Sequence, residues 1–171
     1  MIELIGGNAC TLCAALVDAF SGSRKSARSI LLIQCISQVL YAAGAFLLKG
    51  YSAAVENLLA IFRNIYAAGS RSSKALEWTL ILLPVVLGLA FNNRGLLGVL
   101  PVIAHLEYSL VMFLCKGDAA KLKLSLAFNC LLFTVFYYFL MNYVGMVMCL
   151  IIIASVVFSL AGAKKAEKME D

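Results

Sequence analysis

Apolar positions along this chain fall into seven runs, each closed by a short polar or turn-forming stretch: about 2–22, 29–48, 52–69, 75–92, 96–115, 124–141 and 144–162. Each run holds about 18–21 residues, close to the roughly 20 that an α-helix needs to cross a hydrocarbon core about 30 Å thick. The pattern predicts an all-α membrane protein with seven transmembrane helices. Unbroken apolar runs such as Val147 to Leu160 exclude a β-barrel, whose strands are short and alternate. The first run carries Glu3 where a signal peptide would be basic, so it reads as a span. In the fourth, Trp78 reads as an interfacial anchor and Pro84 as a kink; with Asn92-Asn93 at its end, this run is also the one open to a re-entrant reading. The last residues, 163–171, read as a frayed polar tail.

The third run breaks the pattern in an ordered way. Glu56, Asn57, Arg63 and Asn64 stand at i, i+1, i+7 and i+8, which share one side of a helix, with Ala60 between them. Leu58, Leu59, Ile61 and Phe62 cover much of the rest. In a bilayer such a polar face costs several kcal/mol unless it meets protein or water. It therefore predicts a polar interior within the bundle.

Composition agrees with the pattern. The chain has 171 residues, 63% hydrophobic and 13% charged, against roughly 45–50% and about 25% in soluble domains. The net charge of +5 does not point to nucleic acid, because the basic residues sit in the loops between runs. With seven spans, loops one, three and five and the tail share one side and hold eleven Lys and Arg; the other side holds only Lys49 and Arg94. The positive-inside rule then puts the N-terminus outside and the tail in the cytoplasm. The six cysteines lie within or at the ends of apolar runs and read as small packing residues. Cys10 and Cys13 have C-x-x-C spacing, but with a single His in the chain and no second pair nearby they do not make a metal site. No cofactor or metal is expected.

An internal repeat is visible at a shift of 93. Phe46-Leu47-Leu48 lands on Phe139-Leu140-Met141, Ala68-Gly69-Ser70-Arg71 on Ala161-Gly162-Ala163-Lys164, and Arg28 on Lys121. Spans one to three then correspond to five to seven, and an odd connector keeps both triplets in one orientation. The expected organisation is 3+1+3: a first three-helix unit over 1–72, a connector over 73–94, a second unit over 95–163 and a tail over 164–171. Transporters built from parallel halves bind cargo near the midplane between them.

The basic loop Arg24-Lys25-Ser26-Ala27-Arg28, Phe46-Leu47-Leu48, the run E-N-L-L-A-I-F-R-N, Leu100-Pro101-Val102-Ile103 and Cys115-Lys116-Gly117 carry a resemblance. Together with the 3+1+3 plan, they are similar to the YgjV-type bacterial inner membrane family, within the SWEET / PQ-loop (MtN3-like) superfamily. The resemblance implies a bacterial inner membrane location, two three-helix units, and transport of small solutes such as sugars, vitamins or amino acids. It also implies that spans one and three are neighbours. The PQ dipeptide is absent. SWEET-type sugar sites resemble a pair of Asn on spans three and seven; the repeat partners of Asn57 and Asn64 are Leu150 and Val157, which does not favour sugar.

Distances from the loop charges, at about 1.5 Å per residue, put Gln38, Asn57, His105 and Ser155 near the midplane. Gln34, Gln38 and Tyr41 share a face of span two; His105 shares one with Pro101, Tyr108, Ser109 and Met112. The candidate substrate-binding set is Gln38, Asn57, His105, Gln34 and Asn64, amide-rich and suited to a neutral or zwitterionic solute. Interhelical bonding is the competing reading for Gln34, Gln38 and Asn129; for His105 it is a neutral imidazole bonded to a backbone carbonyl or a Tyr, with proton coupling the sharper alternative. Asp18 and Arg63 come out at similar depth and form a candidate salt bridge or inner gate. Glu56 and Glu107 are further gate or ion-pair candidates, Glu107 with a basic partner. H-E-x-x-H and G-x-S-x-G motifs are missing, so enzymatic activity is not expected. The sequence favours a transporter or facilitator working by alternating access; a non-transporting scaffold or sensor is the alternative. The expected partners are the lipid bilayer and a small polar solute, not nucleic acid, and a homo-oligomer is compatible with the chain.

Overall fold

The computed structural model describes residues 1–22, 27–69, 73–115 and 119–170. Seven helices occupy them, with no strand among the described residues: α1 Ile2–Gly22, α2 Ala27–Leu47, α3 Tyr51–Ala68, α4 Lys74–Ala90, α5 Leu96–Leu114, α6 Ala119–Phe139 and α7 Tyr143–Glu170. Arg24, Lys25, Arg71 and Lys116, which carry much of the expected loop charge, lie outside the described residues. By length and composition α5, residues 121–139 of α6 and residues 143–161 of α7 are each sufficient to cross a membrane. Leu31–Leu47 of α2 is a shorter apolar stretch.

One expectation changes. The tail is not frayed: α7 continues to Glu170, because Ala163 to Glu170 is made of good helix formers with no Gly or Pro to stop it. The fourth run is a single helix: α4 has 17 residues with Pro84 inside it, about 25 Å long.

Short loops force successive helices to run antiparallel. Helix contacts close into a ring in the order α1, α2, α3, α5, α6, α7 and back to α1, while α4 packs outside it against α3 and α5. In this ring α2 stands between α1 and α3, which do not touch. The neighbouring of spans one and three implied by the resemblance is therefore not found. Close approach of α1 and α2 explains this order at one end. A Cβ at Gly7 would meet Leu48 at 2.5 Å, and one at Gly44 would meet the Gly7 carbonyl oxygen at 2.9 Å. Small residues let the two backbones touch.

Burial is inverted relative to a water-soluble bundle. Thr11, Ser37, Glu56, Asn57, Arg63, Asn64, His105 and Asn142 are buried, while Leu16, Phe46, Phe62, Val86, Ile151 and Phe158 are exposed. Apolar side chains outside and polar ones inside is the arrangement a hydrocarbon solvent selects.

The turns after α2 and α6 are the same turn. Leu48, Lys49 and Gly50 donate to Gly44, Phe46 and Ala45; Leu140, Met141 and Asn142 donate to Phe136, Tyr138 and Tyr137. Lys49 and Met141 both hold left-handed backbone, at φ 60° and 58°. Every one of these equivalences is a shift of 92, not 93. In the corrected register Asn57 corresponds to Cys149 and Asn64 to Val156, rather than to Leu150 and Val157.

Candidate functional site

A cavity of about 170 Å³ lies inside the ring, with walls from α1, α2, α3, α5, α6 and α7. The polar face of α3 contributes Asn57, Arg63 and Asn64. Helix α2 adds Gln34, Gln38 and Tyr41, and α5 adds His105, Tyr108 and Met112. All five residues of the expected binding set thus meet at one cavity. Ser155 does not join them; it is exposed on α7.

The second half of the chain supplies further walls, of which sequence reasoning weighed Asn129 alone, as lining or as an interhelical bond. Asn129, Phe133 and Tyr137, with Cys130, line the cavity from α6; Gly145, Met148, Cys149 and Ile152 line it from α7. Both sets follow the i, i+3, i+4, i+7 rule for one helix face. That periodicity was a usable signal, masked because Cys, Met and Phe also occur on lipid-facing positions. Cys130 and Cys149 are in side-chain contact, with Thr134 beside Cys149, and Asn129 Nδ2 donates to the Ala104 carbonyl oxygen at 2.9 Å.

The charged groups are arranged differently from the expectation. Asp18 and Arg63 both line the cavity but are not an ion pair. The Asp18 carboxylate accepts from Ser37 Oγ on α2. Arg63 Nη1 donates to Ser109 Oγ at 3.1 Å, and its guanidinium lies 5.1 Å from the centre of the Tyr108 ring. The pair fails because α2 separates α1 from α3. Glu107 has Ser125 rather than a basic residue as its partner, accepting from Ser125 Oγ at 2.8 Å. Glu56 does not line the cavity. It is 1% exposed, in the seam where α3 meets α4 and α5, and Gly88 faces it so closely that any Cβ there would collide with the carboxylate.

Amide nitrogens, tyrosine hydroxyls and a guanidinium around about 170 Å³ can bind a small molecule through several directed bonds. A cavity of about 150 Å³ holds a benzene-sized molecule, which sets the scale. Gln38 Oε1 and Asn57 Nδ2 are buried with no partner among the described residues, and both belong to the cavity wall. A larger groove of about 480 Å³ between α3 and α4 is lined by Phe62, Ile65, Leu83 and other apolar residues; it offers a lipid chain a surface but little directed bonding.

The end of the ring carrying the turns after α2 and α6 is tied shut. Asn142 Nδ2 donates to Thr11 Oγ1 at 3.0 Å, Asn8 Nδ2 donates to the Met141 carbonyl oxygen at 3.1 Å, and Asn8 Oδ1 accepts from the Val144 N–H at 3.2 Å. The other turn is held in the same way. Asn93 Nδ2 donates to the Lys49 carbonyl oxygen at 2.8 Å and Asn93 Oδ1 accepts from the Tyr51 N–H at 3.3 Å; Arg94 Nη2 donates to the Leu48 carbonyl oxygen at 3.0 Å.

Comparison with curated proteins found no match, and comparison with solved structures found none. A family model does match: it spans residues 5–167, nearly the whole chain, and the inverted burial of the ring agrees with its description, so this chain belongs to the Imp-YgjV family of bacterial inner membrane proteins.

Proposed function

We propose that this protein is a transporter or facilitator of a small polar solute, working by alternating access around the central cavity. The observation that carries the reading is the unpartnered Gln38 Oε1 and Asn57 Nδ2 at the wall of a polar cavity of about 170 Å³. Amides placed only to glue helices would find each other or a backbone group; these two are left for a third party. The reading takes the chain as 3+1+3, with α1–α3 and α5–α7 as parallel units and α4 as connector. Support comes from the contacts among the six ring helices, which map onto themselves when α1, α2, α3 are exchanged for α5, α6, α7; the contacts of α4, with α3 and α5 alone, do not. The turns shifted by 92 add to it. In this conformation Asn8, Asn93 and Asn142 tie one end, and the cavity extends toward the other, where Leu31, Gln34, Met112 and Leu126 lie. The basic loops would make that other end cytoplasmic, with the N-terminus outside. Placement in the SWEET / PQ-loop superfamily belongs to the same proposal, with α2 rather than α3 in the middle of the first unit.

The test is a thermal-shift screen of purified protein against sugars, vitamins and amino acids, since a ligand of the folded state raises stability by mass action, followed by uptake of any hit into proteoliposomes. Gln38→Ala and Asn57→Ala are expected to abolish uptake without changing folded yield. Loss of fold in both variants, with no flux in the parent protein, would instead favour a scaffold or sensor.

A further inference from the structure

Two spaces inside the protein share a pair of side chains. Arg63 and His105 line the central cavity, and they also line a second space of about 10 Å³ between α3, α4 and α5, together with Glu56, Ala60, Ser109 and Pro84. Both carboxylate oxygens of Glu56, Nε of Arg63 and Nε2 of His105 are buried without a hydrogen-bond partner among the described residues. The space beside these groups has about the volume one water needs, and offers the two to four polar partners that hold one.

Among the described residues, Arg63 is the opposite charge that acts on Glu56. Helix α4 presents Leu80, Pro84 and Gly88, none of which titrates. Helix α5 presents His105 and Ser109, with Tyr108 beside the Arg63 guanidinium. Helix α2 presents Gln38 and Tyr41 to the cavity, and α6, packed on α5, sets Phe133 edge-on against His105 at 5.6 Å and lines the cavity with Cys130 and Tyr137. Glu107 is bonded to Ser125, and Asp18 belongs to α1, which touches neither α3 nor α5. Arg63 is the charge that acts on both Glu56 and His105.

An ionised carboxylate buried without bonds is strongly unfavourable. Two arrangements relieve Glu56: a proton on the carboxyl, or a water-bridged pair with Arg63. We propose that Glu56 is a proton-binding site, reached from the central cavity through His105 and one bound water, and that its protonation releases Arg63 to bind the carboxylate of a small solute in the cavity. On discharge the Glu56 O–H gives its proton to the water, the water gives one to His105 Nε2, and the imidazolium releases it to the cavity. The carboxylate left behind is balanced by Arg63. Proton and anionic solute then bind with positive linkage, each tightening the other. The solute half rests on the carrier reading above; the proton half stands without it.

Infrared spectroscopy of the purified protein in lipid vesicles reads the proton directly. Wild type at neutral pH is expected to show a protonated-carboxyl band that moves on carboxyl-¹³C glutamate labelling and bleaches as pH is raised. Glu56→Gln is expected to lack it. A labelled wild type with no such band at any pH where it stays folded would overturn the proposal, and so would a band that survives in folded Glu56→Gln; if that variant misfolds, the labelled wild type decides. For linkage the probes are lactate and lactamide, each added to weakly buffered protein. At a pH where the band has bleached, lactate alone is expected to draw up to about one proton per molecule bound in wild type and none in Glu56→Gln. Equal responses to the two probes would overturn the assignment of Arg63. A titrating band in a protein that moves no solute across vesicles would leave the proton site standing and remove the carrier reading.

Discussion

Position 88 decides whether Glu56 can stay inside. A Cβ there would meet the Glu56 carboxylate, and Val102 Cγ2 at 2.8 Å, so even alanine overpacks the seam at this point. Gly88→Ala is expected to destabilise the protein by about 1–3 kcal/mol, read as a lower thermal unfolding temperature in detergent. In a Glu56→Ala background most of that cost should vanish, since the side chain it strikes is gone; additive losses would mean that Gly88 is not there to seat the carboxylate. Asp18 offers a second cycle. Asp18→Asn and Ser37→Ala should couple, because one bond joins them, whereas Asp18→Ala and Arg63→Ala should add, having different partners on different helices. The polar face of α3 was legible in the sequence because Glu56, Asn57, Arg63 and Asn64 repeat at helical spacing. Gly88 was not, since a glycine between two leucines carries no mark of what it faces. Nor was the true partner of Asp18, because equal depth says nothing about which helix stands between two residues.

At the scale of the helices, the two matching turns carry the prediction. Lys49 and Met141 hold left-handed backbone at φ 60° and 58°, a conformation that costs an L-residue roughly 1–2 kcal/mol and glycine almost nothing. Each turn also has the helix-ending bond pattern that glycine favours. Met141→Gly is therefore expected to raise stability by about 1 kcal/mol, visible as a higher unfolding temperature. Lys49→Gly should gain slightly less, because it also removes the exposed 3.5 Å pair between Lys49 and Glu3, and such surface pairs contribute little. A fall in stability on Met141→Gly would show that the methionine side chain matters more than the backbone does. Helix existence was readable throughout, because hydrophobic run length reports it directly. The likeness of the two turns was readable only out of register by one residue: matching Phe46-Leu47-Leu48 to Phe139-Leu140-Met141 followed side-chain identity, whereas the turns align at a shift of 92 through backbone bonds that no apolar identity reports.

For the whole molecule, the ring order sets which end of the cavity is open. Sequence could place seven helices and a polar interior, but not α2 between α1 and α3, because that order depends on the close contact of Gly7 and Gly44 rather than on any hydrophobic period. With that order the first helix reaches the turn of the other unit, and Asn8 and Thr11 on α1 tie the turn that joins α6 to α7. Asn142 is 1% exposed, so removing its amide takes from Thr11 Oγ1 the donor that reaches it across the ring, while Thr11 keeps its own bond to the Gly7 carbonyl oxygen, and leaves the Gly145 N–H unsatisfied in a buried place, at a cost of about 1–3 kcal/mol. The Gly145 bond is local to the turn and is lost in every conformation; the Thr11 bond crosses from the turn to α1, so its loss falls on the conformation with this end tied, and Asn142→Ala should shift the population toward one in which this end opens. Single cysteines in a background lacking the six native ones report it. Leu31→Cys, at the other end of the cavity, should react with a membrane-impermeant maleimide from the side of the loop between α1 and α2. Tyr137→Cys, beneath the tie, should be protected from both sides, then react from the turn side once Asn142→Ala is added. Reaction of Tyr137→Cys from the turn side with Asn142 intact would mean that these bonds close nothing. Protection that persists after Asn142→Ala would mean that the ring has one way in, and that its two halves do not rock.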